Sequence, residues 1–96
     1  MNKKRFTLNE HIEELKSDPE FAELYAKEEL INLVSHLVYQ ARKDSNLSQQ
    51  ELAERVGTSQ PAVARLESGR SKTAPTLDVL ARVARAAGKK LVISFQ

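Results

Sequence analysis

The run from residue 48 to residue 70, SQQELAERVGTSQPAVARLESGR, constrains this chain more tightly than any other, because almost every residue in it has a positional job. Ser48 followed by Glu51 is a capping box, in which each side chain satisfies a backbone N–H of a helix's first turn. Leu52, Ala53 and Val56 then form one apolar face, and Gly57 stands where a helix end favours left-handed backbone. Ser59 is placed to cap a second helix, and Pro61 is tolerated in its first turn, where N–H groups have no intrahelical acceptor. Val63 and Leu66 point inward, which leaves Gln60, Ala62 and Arg65 for other surfaces, and Gly69 ends the helix. The run therefore predicts two short helices joined by a tight turn, with polar side chains gathered where the second one begins.

That pattern resembles the Cro/cI-type helix-turn-helix family, carried here by Gln49, Glu51-Leu52-Ala53, Gly57, Val63 and Glu67. Such a motif sets the N-terminal end of its second helix into the major groove of double-stranded DNA. Gln60 then presents an amide to adenine, Arg65 forks onto guanine O6 and N7, and Ala62 packs on a thymine methyl. Gln49 and Ser59, at helix N-termini, are candidates for phosphate, as are Ser71 and Lys72 in the loop beyond Gly69. The resemblance supports these contacts at Gln49, Ser59, Gln60 and Arg65. It also implies that Arg42 and Glu67 form a structural ion pair; a phosphate role for Arg42 is the alternative.

The charge distribution agrees with that reading. Residues 1–30 carry five Lys/Arg against eight Asp/Glu, a net −3, whereas residues 31–96 carry ten against five, a net +5. Positive charge sits on the part bearing the motif, as phosphate contact requires. The acidic part is repelled by DNA and suits another partner. At 96 residues the chain has room for one small domain and an arm. It lacks cysteine, which excludes disulfides and thiolate metal sites. No apolar run approaches the roughly 18 residues of a membrane span, and the basic Lys3, Lys4 and Arg5 have no apolar stretch behind them, so a cytoplasmic location is expected.

Periodicity supplies the remaining elements and a mainly all-α fold class. Leu30, Leu33, Val34, Leu37, Val38 and Ala41 predict a helix with one buried stripe, stopping near Asp44-Ser45-Asn46. Thr76 caps a later helix whose expected face is Leu77, Leu80, Ala81, Ala84 and Ala87, ended by Gly88. Leu91, Ile93 and Phe95 alternate with Val92, Ser94 and Gln96, predicting a short strand. A lone strand forms no sheet, so it is expected to pair with its copy in a homodimer or to add to a partner's edge. Upstream, Thr7 and Glu10 form a second capping box ahead of Leu8, Ile12 and Leu15, and Asp18-Pro19 opens a further helix bearing Phe21, Leu24 and Tyr25. That patch lies nearly opposite the leucine stripe if the helix is unbroken, so either the chain folds back near residues 26–29 or the patch waits for a partner. The organisation expected is an N-terminal helical arm, residues 1–28, followed by a helix-turn-helix bundle with a C-terminal strand, residues 29–96.

The arm DPEFAELYAKEELINLV, the motif and the closing GKKLVISF together resemble the HigA-like antitoxins of type II toxin–antitoxin modules. The resemblance implies a dimer that binds its own operator and neutralises a small HigB/RelE-like toxin, an mRNA endonuclease. Ile12, Leu15, Phe21, Leu24 and Tyr25 are the candidate toxin contacts; a stand-alone repressor is the alternative. Catalysis is not expected: His11 and His36 have no partner ligands, Glu10, Glu13 and Glu14 look like a solvated helix face, and no glycine-rich phosphate loop exists. No metal or cofactor is expected.

Overall fold

The computed structural model describes residues 13–96. Thr7, Leu8, Glu10 and Ile12 therefore lie outside the described residues. Among the described residues, 13–15 are helical and four longer helices follow: α1 (Pro19–Asp44), α2 (Gln49–Val56), α3 (Gln60–Ser68) and α4 (Leu77–Ala86). Asp18 caps α1 by accepting the Glu20 N–H at 3.0 Å, with Pro19 in the first helical position. The helix then runs 26 residues, about 39 Å at 1.5 Å per residue, straight through residues 26–29 without folding back. The arm boundary expected at residue 28 thus falls inside a continuous helix.

The helical ends follow the sequence closely. Ser48 accepts the Glu51 N–H at 3.0 Å while the Glu51 carboxylate accepts the Ser48 N–H at 2.8 Å, closing the capping box of α2. Ser59 caps α3 through the Ala62 N–H, and Thr76 caps α4 through the Val79 N–H. Gly57 ends α2 at φ 87° and Gly69 ends α3 at φ 71°, both left-handed. Gly69 has a second constraint, since a Cβ built there would stand 2.6 Å from Oδ1 of Asn32.

Leu52, Ala53 and Val63, all at 0 % exposure, form the centre of the core with Val38, Leu47, Val56 and Val83. The core-facing side of α1 keeps Val34, Val38 and Ala41 of the expected stripe, buried or half-buried, but not its leucines. Ile31, Ser35, Val38 and Arg42 are buried, with Val34 half-buried, whereas Leu30, Leu33 and Leu37 are 51 %, 54 % and 57 % exposed. Two helical stripes overlap here, and the less apolar one won because its polar members find partners. Ser35 donates its hydroxyl proton to the Ile31 carbonyl at 2.9 Å, and Arg42 is held by Glu67. A similar rotation applies to α4, which buries Val83 with the adjoining Ala87 and packs Val79, Leu80 and Ala86, while Leu77 stays exposed.

No strand forms among the described residues. Residues 89–96 form no regular element, and Val92, Ile93 and Phe95 are exposed. The expected C-terminal strand is therefore corrected to an irregular tail, since no second strand exists among the described residues to share its hydrogen bonds. Its point of departure is fixed. Ser45 donates to the Ala87 carbonyl at 2.6 Å, and Lys89 Nζ lies 3.3 Å from the Asp44 carboxylate, tying the end of α4 to the end of α1.

Candidate nucleic-acid interface

The turn of residues 57–59 sets α3 across α2, and burial of Val63 against the core fixes which way α3 faces. With that side inward, Arg65 is exposed, Gln60 and Ala62 are half-buried near the exposed N-terminal end, and the capping Ser59 is exposed. The Ser59 oxygen is engaged by the Ala62 N–H, which leaves its hydroxyl proton for an outside acceptor. In the following loop Lys72 is exposed. Ser71, by contrast, donates its hydroxyl proton to the Thr73 carbonyl at 2.9 Å, so it shapes the loop through its own side chain.

Behind these residues lies a chain of hydrogen bonds that spacing alone did not reveal. Arg42 Nε and Nη2 donate to the two oxygens of Glu67 at 2.6 and 3.0 Å, and Nη1 donates to the Leu47 carbonyl at 2.8 Å. Both side chains are largely enclosed, 11 % and 5 % exposed. The bond to Glu67 holds the Arg42 guanidinium above its ordinary pKa against the opposing effect of burial. Arg42 is thus the structural partner of Glu67, and its Nε, Nη1 and Nη2 all donate within the fold. Glu67 Oε1 also accepts from Gln49 Nε2 at 3.1 Å, and Gln49 Oε1 accepts from Gln60 Nε2 at 2.7 Å.

The polarity of that relay has a chemical consequence. The carboxylate of Glu67 only accepts, so Gln49 must turn its nitrogen toward it and its oxygen toward Gln60. Gln60 must then spend one N–H on Gln49. A primary amide carries two N–H groups and an acceptor oxygen, so Gln60 keeps one N–H and its carbonyl. That pair is the one an adenine N7 and N6 edge requires. Gln49, expected as a phosphate ligand, orients the Gln60 amide from within the fold. The sequence signal was the glutamine opening each of the two helices.

A family model described as helix-turn-helix matches residues 38–93, which span the last two turns of α1, the motif, α4 and part of the tail. The chain belongs to the Cro/cI-type helix-turn-helix family. It is similar to a protein of Methanothermobacter thermautotrophicus described as an uncharacterized HTH-type transcriptional regulator, with 43 % identity over 54 residues, covering 56 % of this chain and 75 % of that one. No solved structure matches the chain. DNA binding and transcriptional regulation thus come with the helix-turn-helix family.

The candidate toxin contacts are placed differently from one another. Phe21 and Tyr25 stack with ring centroids 6.0 Å apart, and Lys16 Nζ sits 4.5 Å from the Tyr25 ring centre. These two and Leu15 are half-buried within the N-terminal segment itself. Leu24 is exposed and lines a separate groove with Lys27, Asn32, Gly69 and Lys72. Ile12 lies outside the described residues. Among those described, no group of acidic and histidine side chains is arranged to hold a metal ion, and no helix is long and apolar enough to cross a membrane.

Proposed function

We propose that this chain is an autoregulating antitoxin: a sequence-specific operator-binding repressor that also neutralises a small, basic HigB/RelE-like toxin. The relay from Glu67 through Gln49 to Gln60 carries the DNA half of the reading, because it pre-orients one amide at the exposed start of α3. Gln60 and Arg65 read bases, Ala62 meets a thymine methyl, and Gln49, Ser59 and Lys72 line the phosphates, with Ser71 shaping the loop that carries Lys72. Two copies bind together, each through its unpaired C-terminal tail, which places two α3 helices about 34 Å apart on one face of the duplex. The exposed apolar residues of the tail, Leu91, Val92, Ile93 and Phe95, support that pairing. The chain itself performs no catalytic step and holds no cofactor.

Support for the antitoxin half comes from the acidic segment that continues α1 beyond the motif. Residues 13–30 contain seven Asp/Glu and two Lys, a surface unsuited to DNA and suited to a basic protein. The self-stacked Phe21–Tyr25 pair favours the second reading, a stand-alone repressor whose N-terminal segment only completes its own fold.

A mobility-shift titration on the DNA upstream of the chain's own gene, over a series of salt concentrations, tests the operator reading. Binding that weakens steeply with salt and exceeds that of a scrambled duplex by about 1,000-fold or more is expected. Equal affinity for both duplexes would overturn it. Copurification with the product of the adjacent small reading frame then separates antitoxin from plain repressor.

A further inference from the structure

The side of α1 that carries Ile31, Ser35, Val38 and Arg42 does not end where its packing ends. At 100° per residue Leu24, Lys27 and Glu28 fall within about 50° of that stripe, one to two turns nearer the N-terminus. The stripe meets the C-terminal end of α3 at Asn32 and Ser35, which stand 2.6 and 3.5 Å from a Cβ built on Gly69. Past that point α3 has ended, and the loop that follows it faces α1 instead. Between them lies an open groove of about 680 Å³, lined by Leu24, Lys27, Glu28, Arg70, Ser71 and Lys72.

Charge and position identify what this groove receives. It presents three cations, Lys27, Arg70 and Lys72, against one carboxylate, Glu28, a net +2. All three cations are exposed, and among the described residues none of them forms an ion pair. Lys16, the other lysine of the acidic segment, is by contrast engaged by Glu13 at 3.6 Å and by the Tyr25 ring. Of the further carboxylates on this part of α1, Glu23 and Glu29 project about 90° and 150° away from the stripe, and Glu20 lies about two turns farther out than Lys27. The groove is also continuous with the DNA-facing surface, because Lys72 belongs to both. Arg42 is tied to Glu67 beside Gln49, whereas Lys27 shares its groove with Lys72, about 22 Å back along the helix. Gln49 and Lys72 therefore sit toward opposite ends of α1, as the two phosphate walls of one major groove require, and Lys27 stands on the Lys72 side.

We infer that this groove holds the phosphodiester backbone of the bound duplex outside the base pairs that α3 reads, with Lys27 and Arg70 joining Lys72 as its phosphate contacts. The inference rests on the DNA-binding reading above and adds to it a sequence-independent contact supplied by α1. Lys27 is the cation of the acidic segment placed to make that contact, and Glu28 opposes it from the same groove. The long α1 thereby extends the footprint on DNA, while the choice of bases stays with α3.

The test uses the full chain and two duplexes from the DNA upstream of its gene. One is the shortest that still gives a discrete shifted band, and the other is the same sequence lengthened by about one helical turn at each end. Mobility shift over a salt series measures both. Wild-type chain is expected to bind the longer duplex roughly 3- to 10-fold more tightly at about 0.1 M salt. Lys27→Gln should lose most of that advantage, with a salt slope on the longer duplex shallower by about one per bound chain, and should bind the shorter duplex as wild type does. Its thermal transition should stay in place, because position 27 is exposed and glutamine forms helix about as well as lysine. Glu28→Gln, which removes the opposing charge, should tighten the longer complex alone. A Lys27→Gln variant indistinguishable from wild type on the longer duplex would overturn the inference, as would an equal loss on both lengths. If wild-type chain binds upstream and scrambled duplexes alike, the operator reading falls while the length advantage and its loss in Lys27→Gln are still read on either sequence. A wild-type chain that shifts no duplex would remove the DNA-binding reading and this inference together.

Discussion

Glu67→Gln is the most informative single change, because it is nearly isosteric and strikes both the fold and the reading of DNA. It replaces a carboxylate that is 5 % exposed and accepts from Arg42 at 2.6 and 3.0 Å and from Gln49 at 3.1 Å. Breaking a buried ion pair on one side costs about 3–5 kcal/mol, since the surviving charge stays enclosed. Arg42 retains the Leu47 carbonyl at 2.8 Å and the Tyr39 ring at 5.4 Å, which places the expected loss near the lower end, about 3 kcal/mol. In a domain of this size that corresponds to a fall in Tm of roughly 12–24 °C. Thermal and urea unfolding followed by far-UV circular dichroism measures it. Arg42→Met/Glu67→Leu, which removes both charges, should lie within about 1 kcal/mol of wild type or above it. A Glu67→Gln variant within about 0.5 kcal/mol of wild type would refute the reasoning, as would a double variant less stable than the single one.

The relay also makes a separable prediction for recognition. Gln60→Ala should reduce discrimination at one adenine by about 1–3 kcal/mol, Gln49→Ala should relax the same position, and Lys72→Ala should weaken all duplexes alike with a salt slope shallower by about one. A mobility-shift comparison of base-substituted operators distinguishes the three. At the glycines, Gly57→Ala meets open space and only φ 87°, so it should cost about 1 kcal/mol; Gly69→Ala adds the 2.6 Å approach to Asn32 and should cost more, by urea denaturation. The last prediction concerns acid. The Ser48 backbone N–H, helped by its hydroxyl, lowers the Glu51 pKa from 4.5, and the Gln40 amide followed by Lys89 lowers that of Asp44 from 3.8. Both carboxylates are more readily protonated unfolded than folded, so their stabilisation is present above those ordinary values and is lost as pH falls through the lower folded ones. Tm should therefore drop as pH falls below about 4.5, and Glu51→Gln should flatten the profile.

Positions that depend on local backbone chemistry were legible from the residues alone. Ser48, Ser59 and Thr76 as caps, Gly57 and Gly69 as left-handed ends, and Val63 as an inward residue all follow from rules spanning three or four positions. What failed was the choice between two faces of one helix. Counting apolar residues on α1 favours Leu30, Leu33 and Leu37 beside Val34, Val38 and Ala41; the last three do face inward, whereas the leucines give way to a serine and an arginine. Ser35 is tolerable only because its proton goes to Ile31, and Arg42 only because Glu67, 25 positions away, comes back to meet it. A separation of 11 positions likewise conceals the Gln49–Gln60 contact. For the tail, the alternation predicts a strand that does not form, because no other described segment offers it a ladder.

The unbroken course of α1 bears on how the N-terminal segment behaves over time. A free helix must form its first turn at a large statistical penalty, of order 10⁻³, before propagation begins. Residues 19–30 escape that penalty, because the turns that follow are already clamped by Val38 and Arg42 in the core. They extend an existing helix one hydrogen bond at a time, each step near balance. The segment can accordingly shorten or regrow from its N-terminal end while the bundle stays folded. Amide exchange along α1 should then read as a ramp, slowest near Val38 and faster with every turn toward Pro19, instead of a step between two domains.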